Sequence, residues 1–227
     1  IICDDTTAAT STTDGSLQTD GGLSVALDAV VGDDLILLSD ASVIHFGTNS
    51  EITLTHDHDK GLLLKHTATG DDKPVSLTLQ TGETDIAADD VIGKIDFQAP
   101  DEGTGTDAIL VAAGIEAVSE GDFSSSNNAT KLSFKTGASE AASEKMSISS
   151  VGNVTMKNTA TGDDTPMVLT LQTGETDIAA NDVIGKIDFQ APDEGTGTDA
   201  ILVAAGIEAV SEGDFAANNN ATKLSFK

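Results

Sequence analysis

Hydrophobic and polar residues alternate with a period of two along several stretches of this chain. In the stretch VIGKIDFQ, residues 91 to 98, the side chains of Val91, Ile95 and Phe97 fall on one side and mostly polar side chains fall on the other. This alternation is typical of a β-strand with one buried face, because successive side chains of a strand point to opposite sides. The pattern predicts a half-buried strand.

Two further stretches show the same alternation. AILVAAGIEAV, residues 108 to 118, has branched side chains on one side and small residues on the other, which predicts a strand whose small side lies against another chain. KLSFK, residues 131 to 135, places two large apolar side chains inward and its lysines outward. The residues predicted to be buried in these two strands are Ile109, Val111, Ile115, Leu132 and Phe134.

The segment from Lys65 to Lys135 recurs almost unchanged from Lys157 to Lys227, at an offset of 92 residues (166 − 74, from Pro74 and Pro166). A long unit in tandem is typical of arrays, which serve length, spacing or multivalency more often than a single reaction centre. The offset predicts the same packing roles for the second-copy residues Ile187, Phe189, Ile207 and Phe226.

The remaining segments predict a modular chain. Residues 1–21 are rich in Thr, Ser, Asp and Gly, which indicates an extended lead-in. In residues 22–64 short apolar runs alternate with turn residues, and Asp59-Lys60-Gly61 predicts a hairpin. The predicted domains are therefore the lead-in 1–21, an N-terminal β module 22–64, repeat 65–135, connector 136–156 and repeat 157–227.

Finer predictions concern the connector and the beginning of each repeat. GASEAASEKM has residues that favour a short turn of helix, and Gly152-Asn153 predicts a hairpin between two short strands. PVSLTLQTG, residues 74 to 82, predicts a fourth strand for the repeat. Because the first residue, Ile1, is not Met, we expect the sequence to be an excerpt from a longer protein.

Composition excludes several classes of partner and favours association of several chains. The chain carries 38 acidic and 11 basic residues, and a net charge of −27 repels nucleic acid and anionic lipid. No apolar run reaches the length of a membrane span. With seven Phe, no Trp, no Tyr and a single cysteine, Cys3, the chain has neither a large aromatic core nor an internal disulfide. Packing three copies around an axis would cover the sheet faces and edges that a small module leaves open.

Two groups of residues are candidate metal ligands. His56 and His58 lie two apart, so on a strand they point to the same side, and a parallel three-fold assembly would converge six imidazoles on a transition metal. The alternative is a pair of solvated histidines at a polar strand end. The acidic, glycine-containing loops from Asp101 to Asp107 and from Asp193 to Asp199 offer oxygen ligands for Ca²⁺, with solvated acidic loops as the alternative.

No catalytic constellation stands out. The sequence has no G-x-S-x-G elbow, and its one cysteine lies in the lead-in. The carboxylate pair Asp89 and Asp90 would suit a glycosidase, but Asn181 replaces the first carboxylate in the second copy. We therefore expect this chain not to be an enzyme.

The repeat and its connector carry the pattern G-x-I-x-F, A-x-I-x-A, L-x-F-x-T-G and E-K-M-x-I-x-x-x-G-N-V in that order. This pattern resembles the repeat modules of tail-fibre and related virion structural proteins of marine tailed bacteriophages, and SEITLTHDHDKGLLLKH resembles the module that leads into them. The resemblance covers most of the chain. The matching positions are Gly93, Ile95, Phe97, Ile115, Leu132, Phe134, Met146, Ile148 and Gly152-Asn153-Val154.

The resemblance implies a homotrimer of parallel, often intertwined chains, and some such fibres hold iron in H-x-H rings, which would fall on His56 and His58. The expected fold is all-β, with tandem small antiparallel modules in an elongated parallel homotrimeric fibre, joined by hairpins and short helical connectors. The expected function is the shaft of a tail fibre, made in the host cytoplasm and carried on the virion. Its expected partners are copies of itself, other tail or baseplate proteins and, through a distal domain, a host-cell receptor.

Two other functions remain open from the sequence. One is the stalk of a bacterial surface adhesin or extracellular filament, which Ca²⁺-dependent rigidity would favour. The other is a fragment of a virion enzyme that degrades polysaccharide, in which the paired carboxylates at Asp89-Asp90 or Asp101-Glu102 would act.

Overall fold

The computed structural model describes residues 21–100, 103, 106–192 and 202–227, and these form an all-β protein with three antiparallel sheets. The chain divides into two compact units, Ile1–Thr78 and Leu79–Lys227. Among the described residues the only helical element is a single 3-10 turn, Asp107–Ile109. The strands are β1 Val43–Phe46, β2 Ile52–Asp57, β3 Gly61–His66, β4 Val91–Gln98, β5 Val111–Ser119, β6 Thr130–Thr136, β7 Ser143–Ile148, β8 Val154–Met156, β9 Val183–Gln190, β10 Val203–Ser211 and β11 Thr222–Phe226.

The first unit contains one three-stranded sheet in the order β1-β2-β3. The predicted hairpin is confirmed: β2 ends at Asp57, the Lys60 amide donates to the Asp57 carbonyl at 2.9 Å, and β3 follows. Asp59 lies in the left-handed region at φ 59°, which Asp tolerates better than most residues. The apolar runs LSVALDAVV and LILLS form no strand, so among the residues described from 21 onward the first strand begins at Val43.

The second unit contains a five-stranded sheet, β4-β5-β6-β7-β8, and a three-stranded sheet, β11-β10-β9. The three predicted strands of each repeat are confirmed, and both copies pair in the same register: Ile115 lies opposite Phe134 and Ile207 lies opposite Phe226. The prediction that the second strand begins at residue 108 is wrong. Ile109 belongs to the 3-10 turn, and the strand begins at Val111.

The segment PVSLTLQTG, predicted as a fourth strand, and its second-copy counterpart PMVLTLQTG pair with no strand. Instead, one leucine of each segment lies over a glycine of the sheet. A Cβ atom placed on Gly93 would lie 3.2 Å from the Leu79 Cβ, and one on Gly185 would lie 3.2 Å from the Leu171 Cβ. The alternation of apolar residues in this segment therefore reflects contact with the face of the sheet and not pairing with another strand. Glycine at positions 93 and 185 leaves room for the leucine that lies over it.

The connector is also extended, and the predicted helical turn is wrong. Its residues form β7 and β8 around a hairpin in which the Ser149 amide donates to the Asn153 carbonyl at 2.9 Å and Gly152 has φ 83°. Ala, Glu and Lys favour helix by only a few tenths of a kcal/mol per residue. The outer edge of β6 pairs with β7, with one register shift between Phe134 and Lys135, and this tertiary pairing outweighs the local preference.

Few apolar side chains are buried within this chain. Among the described residues the buried hydrophobic side chains are those of Val118, Ala142 and Val210. A single-layer sheet has nothing to cover its second face unless another layer packs against it. The residues predicted to pack in a core or trimer interface are at least partly exposed in the chain alone: Val91, Ile95, Phe97, Ile109, Val111, Ile115, Leu132, Phe134, Ile187, Phe189, Ile207 and Phe226. Their burial in an assembly stays a prediction.

Candidate functional site

One face of the five-stranded sheet carries two rows of apolar side chains, which we call the first apolar face. Directly opposite residues of an antiparallel pair lie on the same face, so the strand register defines these rows. One row crosses all five strands through Ile95, Ile115, Phe134, Met146 and Met156. The other runs through Gly93, Ala117, Leu132, Ile148 and Val154.

Leu79 covers the first apolar face at Gly93, and much of the rest of the face is exposed to solvent. Ile95 is 48% exposed, Phe97, two residues further along β4, is 54% exposed, and Val154 is 55% exposed. Each half-exposed side chain of this size gains on the order of 1 kcal/mol when its remaining surface is covered. Because the rows are contiguous, covering the whole face adds these contributions to the free energy of association. Contiguous exposed apolar surfaces of this kind are typical of association sites.

The second repeat presents the corresponding face, the second apolar face. Ile187 and Phe189 are 45% and 53% exposed, close to the values of their first-copy counterparts. Beside them lies an apolar hollow of about 190 Å³, lined mainly by Leu171, Gly185, Ile187, Ile207, Ala209 and Leu224. The same kind of open face thus occurs once in each repeat.

The opposite side of the five-stranded sheet carries ion pairs, and we call it the ion-paired face. Lys135 lies 3.1 Å from Glu116, and Lys131 and Lys157 contact the two carboxylate oxygens of Glu144 at 3.1 and 3.0 Å. The second repeat keeps the pair formed by Lys227 and Glu208, at 2.7 Å. The lysines predicted to point outward into solvent therefore lie in a partly buried network of charges.

Glu144 is the carboxylate most strongly affected by this network. Partial burial raises its pKa, but hydrogen bonds from Lys157 and Lys131 outweigh that effect and lower the pKa from its ordinary 4.5 to about 2. The carboxylate thus stays ionised well into the acid range and holds both lysines against β7.

This pKa predicts an acid-dependent loss of stability. A group whose pKa is lower in the folded state contributes stability above its unfolded pKa and loses it as the pH falls through the folded value. For Glu144 the window therefore runs from 4.5 down to about 2. We expect Glu144→Gln to lower the free energy of unfolding at neutral pH and to flatten its decline within this window, as measured by urea unfolding at several pH values. Parallel pH curves for the variant and the unchanged protein would contradict the assignment.

A buried serine anchors the turn that precedes each repeat's first strand, and the sequence analysis missed it. Ser119 is 1% exposed; its hydroxyl accepts the Asp90 amide at 3.0 Å and donates to the Ala87 carbonyl. Ser211 is fully buried and makes the same two contacts with Asp182 and Ala179. The only sequence signal is that both copies place Ser directly after the apolar run VAAGIEAV.

The carboxylates Asp89 and Asp90 have structural contacts in this turn. Asp90 accepts the Ala87 amide at 2.7 Å, which fixes the turn from within. Asp89 has φ 71°, and its counterpart Asn181 has φ 73°. Asp and Asn both tolerate this left-handed conformation, so the backbone explains why the two copies exchange one for the other.

The structure brings His56 and His58 together but not on one strand. His56 lies near the end of β2, whereas His58 lies in the following turn, so the prediction of two histidines on one strand face is wrong. Their ring centroids are 6.2 Å apart at an interplanar angle of 82°, and His58 also lies 3.4 Å from Asp59. Within the described part of the chain no three His, Cys, Asp or Glu side chains are grouped as a metal site. Metal binding at His56 stays a prediction.

The predicted Ca²⁺ loops are largely outside the residues that the structure describes. In the first loop Asp101 and Glu102 are not described, and in the second the whole stretch 193–199 is not described. Of the first loop, Thr106 and Asp107 are described, and the Thr106 hydroxyl lies 3.4 Å from the Asp107 carboxylate. Calcium binding stays a prediction.

Comparison with known proteins leaves the family open. No protein-family model matches the chain, no curated protein matches it, and no solved structure matches it. The described residues form no helix of the length and apolar character needed to span a membrane. The apolar faces and the ion-paired face are thus the features of the described residues that bear on function.

Proposed function

We propose that this chain is a segment of the shaft of a bacteriophage tail fibre and that it works as a homotrimer. The observation that carries the proposal is the open apolar face that recurs in both repeats, exemplified by Phe97 at 54% and Phe189 at 53% exposure. A surface that recurs at a fixed interval along a chain suits lateral association of identical chains in register.

The number of chains follows from how such faces can be covered. Two sheets can pack face to face, whereas three chains around an axis also bring their edges together and leave a polar exterior. The resemblance to fibre modules favours three parallel chains. In that arrangement the first and second apolar faces meet their equivalents around the axis, and the ion-paired faces are turned outward.

The charge of the chain fits a virion appendage. A net charge of −27 keeps neighbouring fibres from adhering to one another and repels nucleic acid and anionic membranes. In this proposal the chain acts mechanically rather than as an enzyme. The shaft binds tail or baseplate proteins at one end and, at the other, holds a receptor-binding domain away from the particle.

Light scattering in solution tests the proposal directly. A mass of about 69 kDa, three times the 23.1 kDa of one chain, supports the trimeric shaft. A folded monomer at 23.1 kDa would contradict it and would favour a bacterial adhesin stalk made of self-sufficient modules. A mass corresponding to two chains would replace the three-fold axis by a face-to-face dimer.

The proposal extends to a transition metal, iron in the first instance, held by His56 and His58 of several chains. Imidazole nitrogen suits iron, zinc and nickel, and the described residues of one chain include no group of three His, Cys, Asp or Glu side chains that could hold the ion. We expect the purified assembly to contain metal by elemental analysis and the double change His56→Ala, His58→Ala to remove it while the mass stays unchanged. Assemblies without iron, zinc or nickel would rule out the metal site but leave the shaft proposal standing.

A further inference from the structure

Each repeat contains a segment whose backbone has no hydrogen-bond partner. In the second repeat the segment is MVLTLQ, residues 167–172, and in the first repeat it is VSLTLQ, residues 75–80. Neither segment belongs to a strand, and no backbone amide or carbonyl of either one bonds a residue that the structure describes. Backbone groups of an ordered chain are normally paired with protein or with water, so these segments have free capacity for pairing.

The segment has the side-chain pattern of a strand but little burial. Met167, Leu169 and Leu171 alternate with other residues and therefore share one side of an extended chain. Of these side chains, Met167 is 51% exposed and Leu169 is 58% exposed. Ordering an extended stretch costs conformational entropy, which burial and backbone pairing offset in an ordinary strand. The described part of one chain provides this segment with limited burial and no backbone pairing.

The sheet of the same repeat does not supply the missing pairing. A Cβ atom placed on Gly185 would lie 3.2 Å from the Leu171 Cβ, so the leucine lies over the face of β9. Residues of strands that pair side by side keep their Cβ atoms about 4.5–5.5 Å apart. The segment is thus part of a second layer above β9, and another chain has to supply a strand beside it.

The same side of each sheet has an open strand edge. Along residues 183–189, β9 pairs with β10 on one side and with no described strand on the other. In the first repeat β4 has the same position, although its sheet has five strands instead of three. The unpaired backbone groups of an edge strand readily bind a further extended chain. Each repeat therefore combines an unpaired segment with an open edge.

We propose that residues 167–172 of one chain pair with the outer edge of β9 in a second copy of this chain, and that residues 75–80 pair with β4 in the same way. A second copy is the fitting occupant because it carries both the segment and the edge at the same spacing. Each chain gives its segment to the next chain and receives one from the previous chain. This head-to-tail contact closes into a ring under three-fold symmetry, so the inference rests on the shaft proposal for the number of chains.

The side chains and charges agree with this pairing. In the completed sheet Leu169 and Leu171 lie on the side of Ile187 and extend the second apolar face. On the other side of β9, Lys186 and Asp188 pair with each other at 2.6 Å, so this edge strand has no unmatched charge there. Residues 167–172 carry no charge either, and residues 75–80 likewise add none beside the corresponding ion pair of β4.

Disulfide trapping tests the exchange of segments between chains. Thr170→Cys is combined with either Lys186→Cys or Asp188→Cys, and Cys3→Ser is added throughout. Because Leu171 lies over the apolar side of β9, residue 170 points away from its own sheet, whereas Lys186 and Asp188 lie on the opposite side of that sheet. A disulfide between these positions therefore joins two chains. After oxidation in a glutathione buffer we expect a closed product of about 69 kDa, three times 23.1 kDa, on a denaturing gel without reductant.

A cysteine one strand further away is the matched control. Glu208 of β10 lies directly opposite Lys186, and Glu208→Cys is combined with the same changes at residues 170 and 3. Two strand spacings amount to about 9.5 Å, which exceeds the Cα separation of about 7 Å that a disulfide can bridge. We expect the better of positions 186 and 188 to give about tenfold more linked chain than position 208.

Hydrogen exchange of the unchanged assembly gives a reading without substitutions. A strand that is paired along one edge donates from every second amide, so alternate amides of residues 167–172 should exchange about tenfold more slowly than those between them. Uniformly fast exchange along this segment overturns the proposal. Linkage at positions 186 and 188 that stays at the level of position 208 also overturns it.

The solution mass separates failure of the exchange from failure of the shaft. Unlinked chains with a mass of about 69 kDa by light scattering, three times 23.1 kDa, would overturn the exchange and leave the trimeric shaft standing. A linked product of two chains, with the mass of two chains in solution, would support the exchange and overturn the three-fold axis. A folded monomer of 23.1 kDa would overturn both.

Discussion

Replacing Phe97 and Phe189 with Asp is expected to separate the chains of the proposed trimer while leaving each chain folded. Both phenylalanines are more than half exposed in the single chain, so a charge at these positions costs little until a neighbouring chain covers it. In the assembly each copy would bury a carboxylate without a partner, and the effective penalty is several kcal/mol per ion. Light scattering should show a fall from the mass of the assembly to that of one chain.

The control for this prediction adds the same charges elsewhere. Ser125→Asp with Ala217→Asp places two carboxylates at corresponding exposed positions between β5 and β6 and between β10 and β11. We expect this variant to keep the mass of the unchanged protein. If Phe97→Asp with Phe189→Asp also keeps that mass and its melting temperature, the two apolar faces are not association surfaces.

Replacing Ser119 and Ser211 with Ala is expected to lower the melting temperature of the protein more than any other removal of single hydroxyl groups. Each change takes away a buried hydroxyl that bonds one amide and one carbonyl of the turn. Loss of such a hydrogen bond costs about 0.5–1.5 kcal/mol. For a module of this size we expect a fall in melting temperature of about 4–8 °C per kcal/mol, read by circular dichroism.

An exposed serine of the same repeat is the control for the loss of stability. Ser125→Ala removes a hydroxyl that is open to solvent and installs the residue that the second copy has naturally, Ala217. This change should leave the melting temperature unchanged within about 1 °C, since exposed substitutions away from special features have small effects. A comparable loss of stability at Ser119 and Ser125 would show that the turn network does not hold the repeat together.

The strands of the repeats were predictable because their signal is local. Ile95 and Phe97 alternate with polar residues, and that period can belong only to an extended chain. The hairpin at Asp59-Lys60-Gly61 was predictable for a similar reason, since turn residues between two apolar runs determine a local backbone path.

Two of the wrong predictions, the helical turn of the connector and the fourth strand of the repeat, share one physical cause. The connector GASEAASEKM has weak helical preferences, and pairing of its second half with the edge of β6 overrides them. The segment that contains Leu79 has strand-like alternation, but it packs across Gly93 rather than joining a sheet edge. In both cases a distant part of the chain decides the conformation, and a local pattern carries no information about that partner.

The candidate site divides in the same way. The apolar positions of the open faces were predictable from the alternation within each repeat, whereas the position of His58 in the turn after β2 was not. The anchoring role of Ser119 was not, because its partners Ala87 and Asp90 are distant in the sequence and a serine after an apolar run is common. The ion pair between Lys131 and Glu144 was not predictable either, because only the pairing of β6 with β7 brings the two side chains together.

The sequence by itself determined the two-residue alternation of apolar and polar side chains, the strands of the repeats and the equivalence of the two repeats. Alternation depends only on neighbouring residues, and the repeat is visible directly in the sequence. Only the tertiary structure decided which strand edges are covered, which turn a buried serine holds and on which side of the sheet the ion pairs form. Those features depend on contacts between residues far apart in the chain.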